Sequence, residues 1–170
     1  MDERAAELSL ALHGSNLGEN SRVLRALAVC SLGAPPEQVS KFIDWHEFEG
    51  LCAALLKSSG YTVRRNVKFR RPRAEVDVLA TGRSVTLLVD CKHWRRDPGV
   101  SSYAKMAEAQ RKRAERVRST LDTVSPIGIV IVTLGEARTR FVDGAAVVPI
   151  HTLADFSENV LAYSDQMTFS

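Results

Sequence analysis

Residues 127–133, Ile-Gly-Ile-Val-Ile-Val-Thr, form an almost unbroken run of β-branched, apolar residues. A strand with one face in water alternates apolar and polar positions. An unbroken run belongs to a strand covered on both faces, which is the situation inside a sheet sandwiched between helices. That segment restricts the chain to the α/β class. At 170 residues with 45% hydrophobic content, one such domain and a small extension can bury a core without staples.

The flanking patterns supply the rest of the sandwich. Phe48, Leu51, Cys52 and Leu55 recur at helical spacing, and Gly60 follows as the stop. A strand starts at Tyr61 to Val63, and a stretch dense in Arg and Lys runs from Arg64 to Arg73. Val76 and Val78 mark one face of a second strand. Thr81 to Ser84 reads as a hairpin turn, and Val85 to Cys91 as a third strand. From Ser102 to about Leu121 the spacing predicts a long helix with sparse apolar positions at Met106, Ala109, Val117 and Leu121, and Gln110 on its solvated side. Val147 to Ile150 is a further short strand, and Thr152 stands where it could cap a last helix through Leu161. Ahead of all this, residues 1–43 read as a helical extension to a main domain at 44–170. Ser21 would cap a helix running to Leu32, Gly33 would stop it, and Pro35-Pro36 would open a second short helix reaching Ile43. Packing of this extension as a cap on the main domain is favoured over half of a helix-turn-helix module.

No apolar run approaches the roughly 20 residues needed to cross a bilayer. Cys30, Cys52 and Cys91 are odd in number and widely spaced, so neither a zinc knuckle nor a disulfide framework is expected, and the expected location is the cytoplasm. The net charge of +3 conceals a strong asymmetry: residues 61–118 hold 16 Lys and Arg against 6 Asp and Glu, while both flanking segments are acidic. A polyanion partner would explain that excess, and so would a solvated basic face.

Within the basic segment, Asp77 is followed thirteen residues later by Asp90-Cys91-Lys92 on the neighbouring predicted strand. Asp90 and Lys92 share one face, about 6.5–7 Å apart along the strand. With the turn at Gly82, Asp77 comes opposite Asp90, at about 4.5–5.5 Å across the ladder. Two carboxylates at that distance repel unless one takes a proton or both share a cation. Mg²⁺ or Mn²⁺, with hard oxygen ligands, removes the conflict, and an ammonium beside it suits phosphodiester hydrolysis. A plain Asp–Lys salt bridge accounts for the same residues. What favours chemistry is that these charges end an otherwise apolar strand, Thr86 to Val89.

Taken in order, Trp45-His-Glu-Phe-Glu49, Leu55 to Tyr61, Glu75-Val-Asp-Val-Leu79, Leu88-Val-Asp-Cys-Lys-His93, Ile129 to Thr133 and Val148 to Leu153 resemble the PD-(D/E)xK nuclease superfamily, and within it the Mrr-like restriction endonucleases. The resemblance covers about residues 45–160. It implies a restriction-endonuclease-like sandwich, a central mixed β-sheet flanked by helices, and a metal-dependent endonuclease acting on DNA. By the same resemblance Asp77 and Asp90 hold the metal, the backbone carbonyl of Cys91 adds to the coordination, Glu49 supports the ion or its water, and Lys92 is the catalytic lysine. Val76 stands where the family name has proline. Glu75 adds a carboxylate of unassigned role, and Glu47 lies about 200° from Glu49 around the helix, so only one of the two should face the site.

Arg70, Arg71, Arg73, Arg95, Arg96, Arg111 and Arg113 flank the candidate site and are expected to contact phosphates rather than read bases. Trp94 is expected to pack under a lid. A homodimer would supply the two sites that cutting a duplex requires. Two other readings remain open: a structure-selective enzyme resembling archaeal Holliday junction resolvases, and a DNA-binding module of the same fold that does not cleave.

Overall fold

The structure is a computed structural model; it describes residues 22–23, 25–26, 28–29, 32–70, 73–93, 98–121, 125–134 and 138–169. The expectations for residues 1–21, Cys30, Arg71, Trp94, Arg95 and Arg96 lie outside the described residues.

Helix α1 spans Pro36–Ser40 and α2 Trp45–Ser58. Strands β1 (Thr62–Arg70), β2 (Arg73–Thr81) and β3 (Thr86–Lys92) follow, then the long helix α3 (Val100–Leu121). Strands β4 (Ile127–Thr133), β5 (Arg140–Val142) and β6 (Ala145–Pro149) lead to α4 (Leu153–Glu158), with short 3-10 turns on either side of it. The six strands form one mixed sheet in the order β1-β2-β3-β4-β6-β5. β3, β4 and β6 run parallel at its centre, and antiparallel pairs extend it at both edges.

All seven residues of β4 are buried, as a strand covered on both faces requires. Val130 and Val132 pack with Leu87, Val89, Phe48, Leu51 and Phe156 on the α2 and α4 side. Ile127, Ile129 and Ile131 face α3 through Val117, Ala107 and Tyr103. Each large apolar side chain so buried contributes about 1.5–3 kcal/mol. Ala26, Val39 and Ile43 join the same core as Phe48 and Leu51. Arg22 fastens it, with Nη2 donating to the Phe42 carbonyl at 3.0 Å and Nε 2.7 Å from Glu47. Among the described residues no helix is long and apolar enough to cross a membrane.

Several expectations are corrected. The basic stretch after Val63 is itself β1, and the β1–β2 hairpin carries it. The face of α3 against the sheet is Tyr103, Ala107, Gln110, Ala114 and Val117; Ala109 is exposed, Met106 only half-buried and Leu121 36% exposed. Small residues on that face let the helix lie close to the sheet. The second short helix stops at Ser40, not Ile43, and the last helix ends at Glu158, with Thr152 making no side-chain cap. β5 was not foreseen, although Asp143-Gly144 signals it. Both residues have positive φ, 48° and 76°, as a two-residue hairpin turn between Val142 and Ala145 demands.

Candidate active site

The β2–β3 ladder runs from Thr81↔Thr86 to Val78↔Val89 and stops there. Its register would set Asp77 opposite Asp90. Instead the strands part, and Asp77 Oδ2 accepts a hydrogen bond from the Cys91 amide at 2.8 Å. A carboxylate thus stands in for a strand partner. Across β2, between Arg65↔Val78 and Val67↔Val76, Asn66 adopts φ 51°. The hairpin changes layers at this level: Val63, Val78 and Ala80 pack toward α2, whereas Val67, Phe69 and Val76 pack toward α3. The outer half of the hairpin has turned over, which leaves the end of β3 open along the edge facing β2.

Asp90 occupies that open end and is only 3% exposed. Lys92 Nζ lies 2.8 Å from its Oδ2, which confirms that the two side chains share a face, and Arg113 Nη1 lies 3.7 Å from its Oδ1. Burial first, and then the charge of Asp90, push the Asp77 carboxyl above its usual range; the Cys91 amide, Lys92 and Arg113 pull the other way. The two acids are therefore close enough to oppose each other's ionisation, although they do not form a ladder pair.

Glu49 is 4% exposed on the inner face of α2. Cys91 ties that helix to β3. Its thiol is held well above the usual range, chiefly by a hydrogen bond with the Cys52 thiol, then by burial and by the charges of Cys52, Asp77 and Glu49. Asp77 from β2 and Glu49 from α2 thus both act on one residue of β3. Glu47 has a different occupation. Its Oε2 accepts from the Asp44 amide at 2.8 Å, its own amide donates to Asp44 Oδ1 at 2.9 Å, and Arg22 pairs with it. This capping box starts α2 and spends Glu47 on the fold.

Gln110 overturns the expectation of a solvated side chain: it is 2% exposed, and its Oε1 has no hydrogen-bond partner among the described residues. Arg113, expected as a phosphate contact, reaches Asp90 itself. Arg70 and Arg73 are exposed beside Arg113 along one groove, and Arg111 pairs with Glu108 at 3.3 Å.

Among the described residues no three His, Cys, Asp or Glu side chains form a ready-made metal cluster. The Asp77–Asp90 pair nevertheless fits a hard divalent cation. Such ions take one or two carboxylates and complete their shell with water and carbonyl oxygens, and the repulsion between the two acids is the cost that a cation would remove.

The catalytic-domain model of the Mrr type, described as a restriction endonuclease, matches residues 40–137. The chain belongs to this family. The matched span contains Glu49, Asp77, Asp90, Lys92 and Arg113, and the mixed sheet flanked by helices is the restriction-endonuclease-like fold. An uncharacterized protein of Archaeoglobus fulgidus is similar to it, 29% identical over 128 residues, covering 74% of this chain and 98% of its own length. The domain is a nuclease of the restriction endonuclease type.

Proposed function

We propose that this restriction endonuclease homologue is a Mg²⁺- or Mn²⁺-dependent endonuclease that hydrolyses DNA phosphodiester bonds. The observation that carries the reading is the juxtaposition of Asp77 and Asp90 at the open end of β3, with Lys92 Nζ 2.8 Å from Asp90. Asp77, Asp90 and the Cys91 carbonyl would hold the cation, with Glu49 supporting it from α2. When bound, the ion supplies Lewis-acid polarisation of the phosphodiester and of the attacking water. Lys92 orients that water and stabilises the charge that develops on phosphorus-bound oxygen. Arg70, Arg73 and Arg113 set the nucleic-acid backbone against the acids.

The test is a cleavage assay with Mg²⁺, Mn²⁺ or EDTA on linear, methylated and branched DNA, with RNA run beside them. Cutting of DNA that requires the cation is the expected result. Cutting that persists in EDTA, or that consumes RNA and spares every DNA, overturns the reading.

A further inference from the structure

The distal β1–β2 hairpin and α3 enclose an open groove of about 730 Å³. Its charged lining is Lys68, Arg70, Arg73, Glu75 and Arg113, four cations against one acid, and Lys68 already pairs with Glu75 at 3.7 Å. Arg70 and Arg73 face each other across the ladder, and neither pairs with an acid among the described residues. Like charges set directly opposite on a sheet destabilise it, so this end of the hairpin is built for an anion from outside. Arg113 belongs to both places. It lines the groove, and its Nη1 stands 3.7 Å from Asp90 Oδ1, near the limit of an ion pair and far from the close bidentate contact that arginine makes with a carboxylate when held there.

Asp90 is almost fully buried and carries Lys92 and Arg113 as its two counter-charges. A cation arriving at the acids makes one of them redundant. Lys92 sits on the same strand, two residues from Asp90, and stays beside it. Arg113 lies on the wall of a groove whose charged lining is mainly cationic. Resting on the nuclease reading above, we propose that Arg113 is a positioning residue that couples the acid site to the groove. It neutralises Asp90 while no divalent cation is bound, and turns onto a backbone phosphate of the bound strand once a cation has taken up that charge. Cation and nucleic acid then bind with positive linkage, each tightening the other by the same factor.

The experiment measures Ca²⁺ affinity of the full chain by calorimetry, alone and with a saturating short DNA duplex, gel electrophoresis confirming that the duplex stays intact. For the wild type, DNA tightens Ca²⁺ binding by about tenfold or more, within the usual range of coupling. In Arg113→Gln, Ca²⁺ binds the DNA-free protein about threefold to tenfold more tightly than in the wild type, because a competing charge has gone, and the effect of DNA shrinks by a similar factor. A merely structural role for Arg113 gives no gain of cation affinity. Arg73→Gln, in the groove but away from Asp90, weakens DNA binding and leaves the DNA-free Ca²⁺ affinity at the wild-type value. An Arg113→Gln protein with wild-type Ca²⁺ affinity and wild-type coupling overturns the proposal, even if the wild type cuts DNA. The predicted coupling in a protein that cuts nothing supports it and removes only the nuclease reading.

Discussion

The Asp77 carboxylate accepts the Cys91 amide proton at 2.8 Å, at the point where the β2–β3 ladder has already ended. One side chain therefore closes the sheet and presents an acid to the site, and the two duties can be separated. Asp77→Asn keeps an acceptor for the Cys91 amide and loses the charge; Asp77→Ala loses both. Cleavage should fall by at least about a hundredfold in each variant, the scale of losing one group that stabilises a transition state. Hydrogen exchange at the Cys91 amide should accelerate only in the alanine variant. Equal exchange in all three proteins would mean that this hydrogen bond does not hold the end of β3.

The position of Asp77 also sets a pH dependence. Burial, and then Asp90, raise its folded pKa above the unfolded value. A raised acid binds its proton more tightly in the folded state, so folding is favoured below the unfolded pKa and loses that advantage as pH rises through the folded one. Without divalent cations, Asp77→Asn should melt above the wild type at neutral pH, by about 2–4 °C if the relief is roughly 1 kcal/mol. The gap should close as pH falls below the ordinary carboxylate range, and Mg²⁺ should narrow it at neutral pH by stabilising the wild type alone. Melting curves across pH decide it; a neutral-pH wild type more stable than the asparagine variant excludes strain at this acid.

Glu47 and Glu49 should trade phenotypes. Glu47→Ala removes one half of the capping box and the partner of Arg22, and should cost about 0.5–2 kcal/mol of stability with cleavage close to normal in the folded protein. Glu49→Gln should leave the melting temperature nearly unchanged and lower cleavage about tenfold or more, the range for losing a support of a metal site. Urea denaturation together with steady-state cleavage reads both quantities.

The sandwich was legible because its strongest signal, the apolar run from Ile127 to Thr133, admits one environment, and because the alternation of Asp90, Cys91 and Lys92 fixes their faces whatever surrounds them. The register across the Gly82 turn brought Asp77 to the level of Asp90, but not the end of the ladder one pair earlier, where the Asp77 carboxylate takes the Cys91 amide instead. The failures share a cause. Whether Gln110 is wet or buried depends on how α3 lies on the sheet, and the small residues Ala107 and Ala114 carry too little hydrophobic signal to reveal that face. The role of Glu47 depends on Arg22, twenty-five residues away in a different helical segment. The turning over of the hairpin at Asn66 depends on a left-handed backbone that asparagine tolerates but does not announce.

Lys92 offers the sharpest separation of chemistry from binding. Its ammonium lies against Asp90 at the floor of the site rather than along the basic groove. Lys92→Ala should lower single-turnover cleavage by about 10²–10⁴-fold and change DNA affinity in EDTA by less than about threefold, the scale of a weak surface contact. A loss of affinity as large as the loss of cleavage would move Lys92 from the reacting centre to the binding surface.

The arginines at the hairpin end predict opposite signs for affinity and stability. Arg70 and Arg73 stand across from each other, with no acid paired to either among the described residues, so a phosphate would relieve a repulsion between them. Each phosphate neutralised releases condensed counterions and steepens the fall of log K with log salt by about 0.9. Arg73→Gln should therefore flatten that slope by about 1 and weaken binding most at low salt. In the same variant the hairpin loses its like-charge pair, and stability without DNA should rise by about 0.2–1 kcal/mol. A mutation that only damaged the fold would lower both quantities. Fluorescence anisotropy over a salt series, paired with thermal melts of the DNA-free protein, tests the two signs independently. An unchanged salt slope would show that the groove does not carry the backbone.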